Sequence, residues 1–162
     1  VCVHEGLIYF CPHRASAIMV LDPGSQQLSF IETGKEGDAK WSSVCVHEGL
    51  IYFCPCSAWA IMVLDPGSQQ LSFIETGKEG DFKWSGVCIH EGLIYFCPCS
   101  ASAIMILDPG SQQLSFIETG KGGNFKWSGV CVHEGLIYFC PYKASAIMVL
   151  DPGSQQLSFI ET

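Results

Sequence analysis

Basic residues are scarce. Eight lysines and arginines stand against sixteen acids, for a formal charge of −8. Nucleic acid and anionic membranes both reward basic patches, so neither is expected as a partner. Charged residues of both signs reach only 15% while apolar residues reach 48%, a balance that excludes an intrinsically disordered chain. Long hydrophobic runs are missing as well. Runs such as residues 50–54 and 60–64 fall far short of the length that spans a bilayer. No secretory or transit segment is visible. No stretch keeps a 3.6-residue apolar period long enough for a helix. The chain opens on Val1 instead of Met, so a fragment of a longer repeat protein stays open beside a whole one.

Familiar catalytic signatures are also lacking. There is no Gly-x-Ser-x-Gly elbow, no phosphate-binding glycine loop, no HExxH helix and no CxxC pair. Four histidines, His4, His47, His90 and His133, each precede a glutamate: Glu5, Glu48, Glu91 and Glu134. Adjacent strand residues point to opposite faces, so these pairs are not dyads in space. The chain is expected to have no catalytic residues, no cofactor and no enzymatic activity.

What is present is a repeat. VCVHEG begins at Val1, Val44 and Val130, and VCIHEG at Val87, a spacing of 43 residues. The fourth copy ends after LSFIET, without the connector that reads GKEGDAKWSS, GKEGDFKWSG and GKGGNFKWSG after the other three. Each unit holds four short β-like runs. In the second copy these are VCVH, LIYFC, AIMVL and LSFIE, residues 44–47, 50–54, 60–64 and 71–75. Glu48-Gly49 is read as a tight hairpin turn and Asp65-Pro66-Gly67-Ser68 as a β-turn. The runs are apolar on both faces, as in strands that sit between two packed layers.

Four strands joined in order and repeated every 40 to 50 residues describe the blade of a β-propeller. The expected fold is all-β: a β-propeller made of four 43-residue repeats, each a four-stranded antiparallel blade. It forms a single domain, 1–162, with blades 1–43, 44–86, 87–129 and 130–162. A closed four-bladed ring is favoured over a ring shared by two chains, so the protein is expected to be a monomeric ring or a homo-oligomer. An open arc would leave the outer faces of the first and last blades as exposed apolar patches.

The hairpin EG-LIYF and the later LDPGSQQLSF make each unit resemble a kelch-type, galactose-oxidase-like propeller repeat. Kelch blades typically carry Gly-Gly after the second strand. This chain has Cys-Pro there, at Cys11-Pro12, Cys54-Pro55, Cys97-Pro98 and Cys140-Pro141. The resemblance implies the propeller architecture and binding by loops at one end. It carries over no catalytic residue.

Ten cysteines is a high count. Three chemistries compete: a thiolate metal site, disulfides, and small buried thiols that fill strand positions. The metal or disulfide candidates are Cys45, Cys54, Cys56, Cys88, Cys97 and Cys99. A two-residue Glu48-Gly49 turn would set His47 opposite Leu50 and put Cys45 and Cys54 on one face as diagonal neighbours. A glycine-bulged turn would put them on opposite faces. Glu is a weaker lead into a type I′ turn than Asn or Asp, so the bulge is expected. Either way His47 stands at the turn, away from the thiols.

Variation among the near-identical copies concentrates in the Cys-Pro-x loops, where His13, Arg14, Trp59, Tyr142 and Lys143 differ from their counterparts. A protein partner bound through these loops is the main functional expectation. The recurring Lys-Trp-Ser ahead of the first strand adds Trp84 and Trp127 as candidate contacts for a glycan, or as wedges between blades.

Overall fold

The computed structural model describes all 162 residues, Val1–Thr162. Every element is a strand. The first repeat forms β1 (Cys2–His4), β2 (Leu7–Phe10), β3 (Ala17–Asp22) and β4 (Gln27–Glu32). The second forms β5 (Trp41–His47), β6 (Leu50–Pro55), β7 (Ala60–Asp65) and β8 (Gln70–Glu75). The third forms β9 (Trp84–His90), β10 (Leu93–Pro98), β11 (Ala103–Asp108) and β12 (Gln113–Glu118). The fourth forms β13 (Trp127–His133), β14 (Leu136–Pro141), β15 (Ala146–Asp151) and β16 (Gln156–Glu161). Each repeat closes into its own antiparallel four-stranded sheet in sequence order, so each is one blade. The blades fall into two compact units, Val1–Asp81 and Phe82–Thr162.

Local chemistry accounts for the hairpins. His47 pairs with Leu50 and Cys45 with Tyr52, so Glu48-Gly49 is a two-residue turn. Glu48 (φ 47°) and Gly49 (φ 80°) are both left-handed, as a type I′ turn requires. The expected glycine bulge is therefore absent from the turn. A different bulge lies at the far end of the hairpin, where Trp41 pairs with Pro55 and Ser43 with Cys54, leaving Ser42 as the extra residue. The twist of a I′ turn matches that of the flanking strands, and here Glu adopts the left-handed region itself. In the third hairpin, Asp65 pairs with Gln70. The Asp65 carboxylate accepts the Gly67 N–H at 2.9 Å and the Ser68 N–H at 3.3 Å, which closes the loop from within.

The two middle strands carry the core. Ile51, Phe53, Met62 and Leu64 are fully buried, each contributing about 1.5–3 kcal/mol by leaving water. They face the first blade, where Tyr9, Ile18 and Val20 meet them. The second unit repeats the arrangement: Ile137, Phe139, Met148 and Leu150 pack on Tyr95, Ile104 and Ile106. Within each unit one blade thus packs an apolar face on the blade that follows it, as the apolar strands require.

Trp41, Trp84 and Trp127 lie inside the first strand of their blades, not ahead of it, and are 1% exposed. Each indole N–H donates to the carbonyl at the head of the third strand in the same blade. The acceptors are Ala60 (3.1 Å), Ala103 (3.1 Å) and Ala146 (3.0 Å).

Candidate functional site: the rim of connectors and Cys-Pro-x loops

The connectors build the rim. Gly37 (φ 114°) and Ala39 (φ 52°) turn the chain so that the Lys40 peptide reaches two loops at once. The Lys40 N–H donates to the His13 carbonyl of the first blade at 2.9 Å, and its own carbonyl accepts the Cys56 N–H of the second blade at 2.9 Å. In the second unit Lys126 does the same between Cys99 and Tyr142, with both bonds at 2.8 Å. Within each unit the rim is therefore a backbone ladder that ties the Cys-Pro-x loop of one blade to the loop of the blade that follows. The lysine side chains fold inward and are almost fully buried. Lys40 Nζ donates to the Gly37 carbonyl at 2.8 Å, and Lys126 Nζ to the Ala101 and Gly123 carbonyls, each at 2.9 Å. Burial pulls the Lys126 pKa down, since removing water disfavours the ammonium form.

The candidate contact residues divide sharply. Trp59 is 46% exposed and Tyr142 65%. Trp59 stacks on Phe73 with 6.0 Å between ring centroids, and Lys35 Nζ lies 5.4 Å from the Trp59 ring centroid. The Trp59 carbonyl is held by the Thr76 N–H at 3.1 Å and the Thr76 hydroxyl at 3.0 Å, so its backbone is fixed while its ring is free to contact a ligand. Beside it opens a cavity of about 310 Å³ bounded by Lys35, Asp38, Lys40, Trp59 and Asp81. The fourth blade has a counterpart of about 250 Å³ bounded by Lys121, Lys126, Lys143 and Glu161. Lys143 Nζ stands 5.0 Å from the Phe125 ring centroid, and the Tyr142 ring meets Phe125 edge-on. His13 and Arg14 are exposed, with Arg14 Nε 3.7 Å from Asp38 Oδ1 across the rim.

Trp84 and Trp127 are corrected: they are not contact residues. Sealed at 1% exposure and bonded to backbone, they are bracing inside each blade and cannot meet a glycan from solution.

All ten cysteines stand as thiols. Cys45 and Cys54 share a face in the observed register, and Cys54 lies opposite Ser43. Cys54, Cys56, Cys97 and Cys99 are buried, while Cys45 and Cys88 are half-buried. No three His, Cys, Asp or Glu residues gather closely enough to hold a metal ion. Burial raises the thiol pKa at Cys88 to about 12, and nearby Cys131 adds to the shift. Cys11 is likewise pushed up to about 12 by burial, and Cys97 is pushed up too. A thiol held neutral in this way is a poor nucleophile and a poor metal ligand. Two of them bridge blades: Cys11 Sγ donates to the Ser43 carbonyl at 3.7 Å and Cys97 Sγ to the Gly129 carbonyl at 3.6 Å. Sequence reasoning missed the rim lysines altogether. Their signal was weak but present, as a lysine directly before every connector tryptophan.

No protein-family model matches the chain, and no curated protein matches it. Solved structures do. Virginiamycin B lyase from Staphylococcus aureus superposes with a TM-score of 0.84 at 14% identity, over 99% of this chain and 54% of that one. Streptogramin B lyase gives 0.84 at 18% identity, over 99% of this chain and 52% of that one. A chain of the nidogen/laminin complex gives 0.73 at 12% identity, over 97% of this chain and 60% of that one. The chain spans about half the length of the lyases it matches. At these identities the likeness concerns the fold, which is the β-propeller class: all-β, with four antiparallel four-stranded blades.

The expectation that the chain is no enzyme is corrected by the same findings. Two of these similar structures are lyases, so this arrangement of blades serves an enzyme, and missing sequence motifs do not exclude activity.

Proposed function

We propose that residues 1–162 form one propeller domain of kelch-like type that binds a protein partner through the rim of Cys-Pro-x loops and connectors. The observation that carries this reading is where the copies differ. Trp59 and Tyr142, both departures from their counterparts, are exposed on that rim beside a cavity or an aromatic cluster. Aromatic rings on a fixed backbone with cations nearby suit a protein surface: they offer large contact area at small entropic cost. The nidogen/laminin complex, one of the similar structures, is itself a protein–protein assembly, which is consistent with this use of the fold. Kelch-like identity rests on the repeated LIYF and LDPGSQQLSF segments.

Peptide-display selection against the full chain tests the proposal. Selected peptides should lose at least about tenfold in affinity on Trp59→Ala or Tyr142→Ala and be indifferent to Gln112→Ala in a β-hairpin loop. Binders that ignore both rim substitutions would count against it.

A further inference from the structure

The connector ahead of the fourth blade has lost its acids. In the first connector Lys35 and Lys40 are balanced by Glu36 and Asp38, and in the second Lys78 and Lys83 by Glu79 and Asp81. The third keeps Lys121 and Lys126 but places Gly122 and Asn124 at the acidic positions. The Cys-Pro-x loop of the fourth blade changes in the same sense, with Lys143 at the position of Ser57 and Ser100. The effect is gathered in one place. Glu36 and Asp38 line the cavity beside Trp59 together with Lys35 and Lys40. The cavity of about 250 Å³ in the fourth blade instead has Lys121, Lys126 and Lys143 on its wall, with Glu161 as its one carboxylate. A chain of formal charge −8 thus concentrates three cations around one hollow.

These three lysines are positioned without being neutralised. No ion pair involves any of them. Lys121 Nζ lies 4.6 Å from the centroid of the Phe159 ring, Lys143 Nζ 5.0 Å from that of Phe125, and Lys126 Nζ 5.9 Å from that of Trp127. Glu161 is engaged elsewhere, accepting the Ser145 hydroxyl at Oε2 at 3.4 Å. Lys126 is only 5% exposed, and a cation taken so far out of water normally has an anion beside it. Two of its three N–H groups go to the Ala101 and Gly123 carbonyls, which leaves one to offer.

We infer that this hollow binds a phosphate group, carried by inorganic phosphate or by a phosphate monoester. The wall has an excess of two positive charges, which a dianion balances and a single carboxylate does not. Lysine ammonium groups act as point-charge donors to phosphate oxygens. The Asn124 amide and the Ser145 hydroxyl add uncharged donors to the same wall. The volume holds a tetrahedral oxyanion with some of its water. Gly122, Asn124 and Lys143 all depart from the second and third copies, so the site is particular to the fourth blade. It does not rest on the protein-partner reading.

Equilibrium dialysis of radiolabelled inorganic phosphate against the full chain, at neutral pH and fixed chloride, tests this. Binding should saturate at one phosphate per chain. Gly122→Glu with Asn124→Asp gives the third connector the residues of the second, a segment the chain already folds. That double variant should weaken binding by at least about tenfold. Lys143→Ser, which restores the residue of the second and third blades, should do the same, with near-ultraviolet dichroism unchanged in both to show that the fold is kept. A phosphoserine peptide, run beside its unphosphorylated form, distinguishes the sources. Tighter binding of the phosphopeptide than of inorganic phosphate assigns the site to a modified protein, and equal or weaker binding assigns it to free phosphate or a small ester. A wild-type chain that binds no phosphate overturns the inference. So does binding that ignores both variants, or acetate that competes as well as phosphate does.

Discussion

Trp84 in β9 and Ala103 at the head of β11 are joined across the blade by a single hydrogen bond, indole N–H to carbonyl, at 3.1 Å. Because the indole is sealed from water, the bond has no solvent substitute, and the same pair recurs as Trp41 with Ala60 and Trp127 with Ala146. It fixes where the first strand starts relative to the third, and so aligns the Cys-Pro-x loop that lies between β10 and β11.

Trp84→Phe keeps an aromatic ring but strands the Ala103 carbonyl. The expected cost is about 1–3 kcal/mol, read as a lower denaturant midpoint. A midpoint within error of wild type would remove the bond from any bracing role.

The left-handed Glu48 invites the opposite change. Its φ of 47° is held by a residue poorly suited to it. Asn is at home there, so Glu48→Asn should stabilise the chain by about 0.5 kcal/mol. Gly49→Ala, at φ 80°, should cost about 1 kcal/mol. The pair of signs, measured by urea unfolding, checks the type I′ turn directly.

Thiol reactivity should follow burial. Iodoacetamide near neutral pH should label the exposed Cys131 and Cys140 first. Cys11 and Cys88, pushed up to about 12, and the buried Cys97 should resist until the chain unfolds. Peptide mapping after a timed quench reads the order. Early labelling of Cys97 would contradict its sealed position.

Acid should loosen the hairpin loops. Asp22, Asp65, Asp108 and Asp151 are held below the usual 3.8, first by the hydroxyl of the serine three residues on and then by backbone N–H groups. Their folded pKa is depressed, so the unfolded chain binds protons first as pH drops. The stabilisation is present above about pH 4 and fades as pH falls through the folded value. Replacing all four with Asn should flatten the dependence of the urea midpoint on pH below about 4. An unchanged slope would show that other carboxylates carry the acid response.

Strand order, blade count and hairpin positions were legible in the sequence because they are local. Turn residues recur at fixed offsets, and β6, β7, β10 and β11 announce two-sided burial in their composition. The third strand was read as residues 60–64 and runs Ala60–Asp65. The hairpin register was misread because Glu is an uncommon residue at a left-handed turn position, and statistics on residue type weigh against a conformation that this chain adopts four times.

The roles of the aromatic and charged residues were decided only by tertiary structure. Sequence offers Trp59 as a loop contact and Trp84 as either a glycan contact or a wedge between blades. Yet Trp84 spans its own blade to a buried carbonyl, while Trp59 ends on the rim. Lys40 and Lys126 look like solvated connector charges, yet they fold under the loops to satisfy carbonyls that the connector would otherwise leave bare. The sequence by itself determined four blades with two sticky faces each, since period and composition are written along the chain. Which faces are covered depends on the neighbour in space, so identical residues such as Cys97 and Cys140 are sealed in one blade and exposed in another.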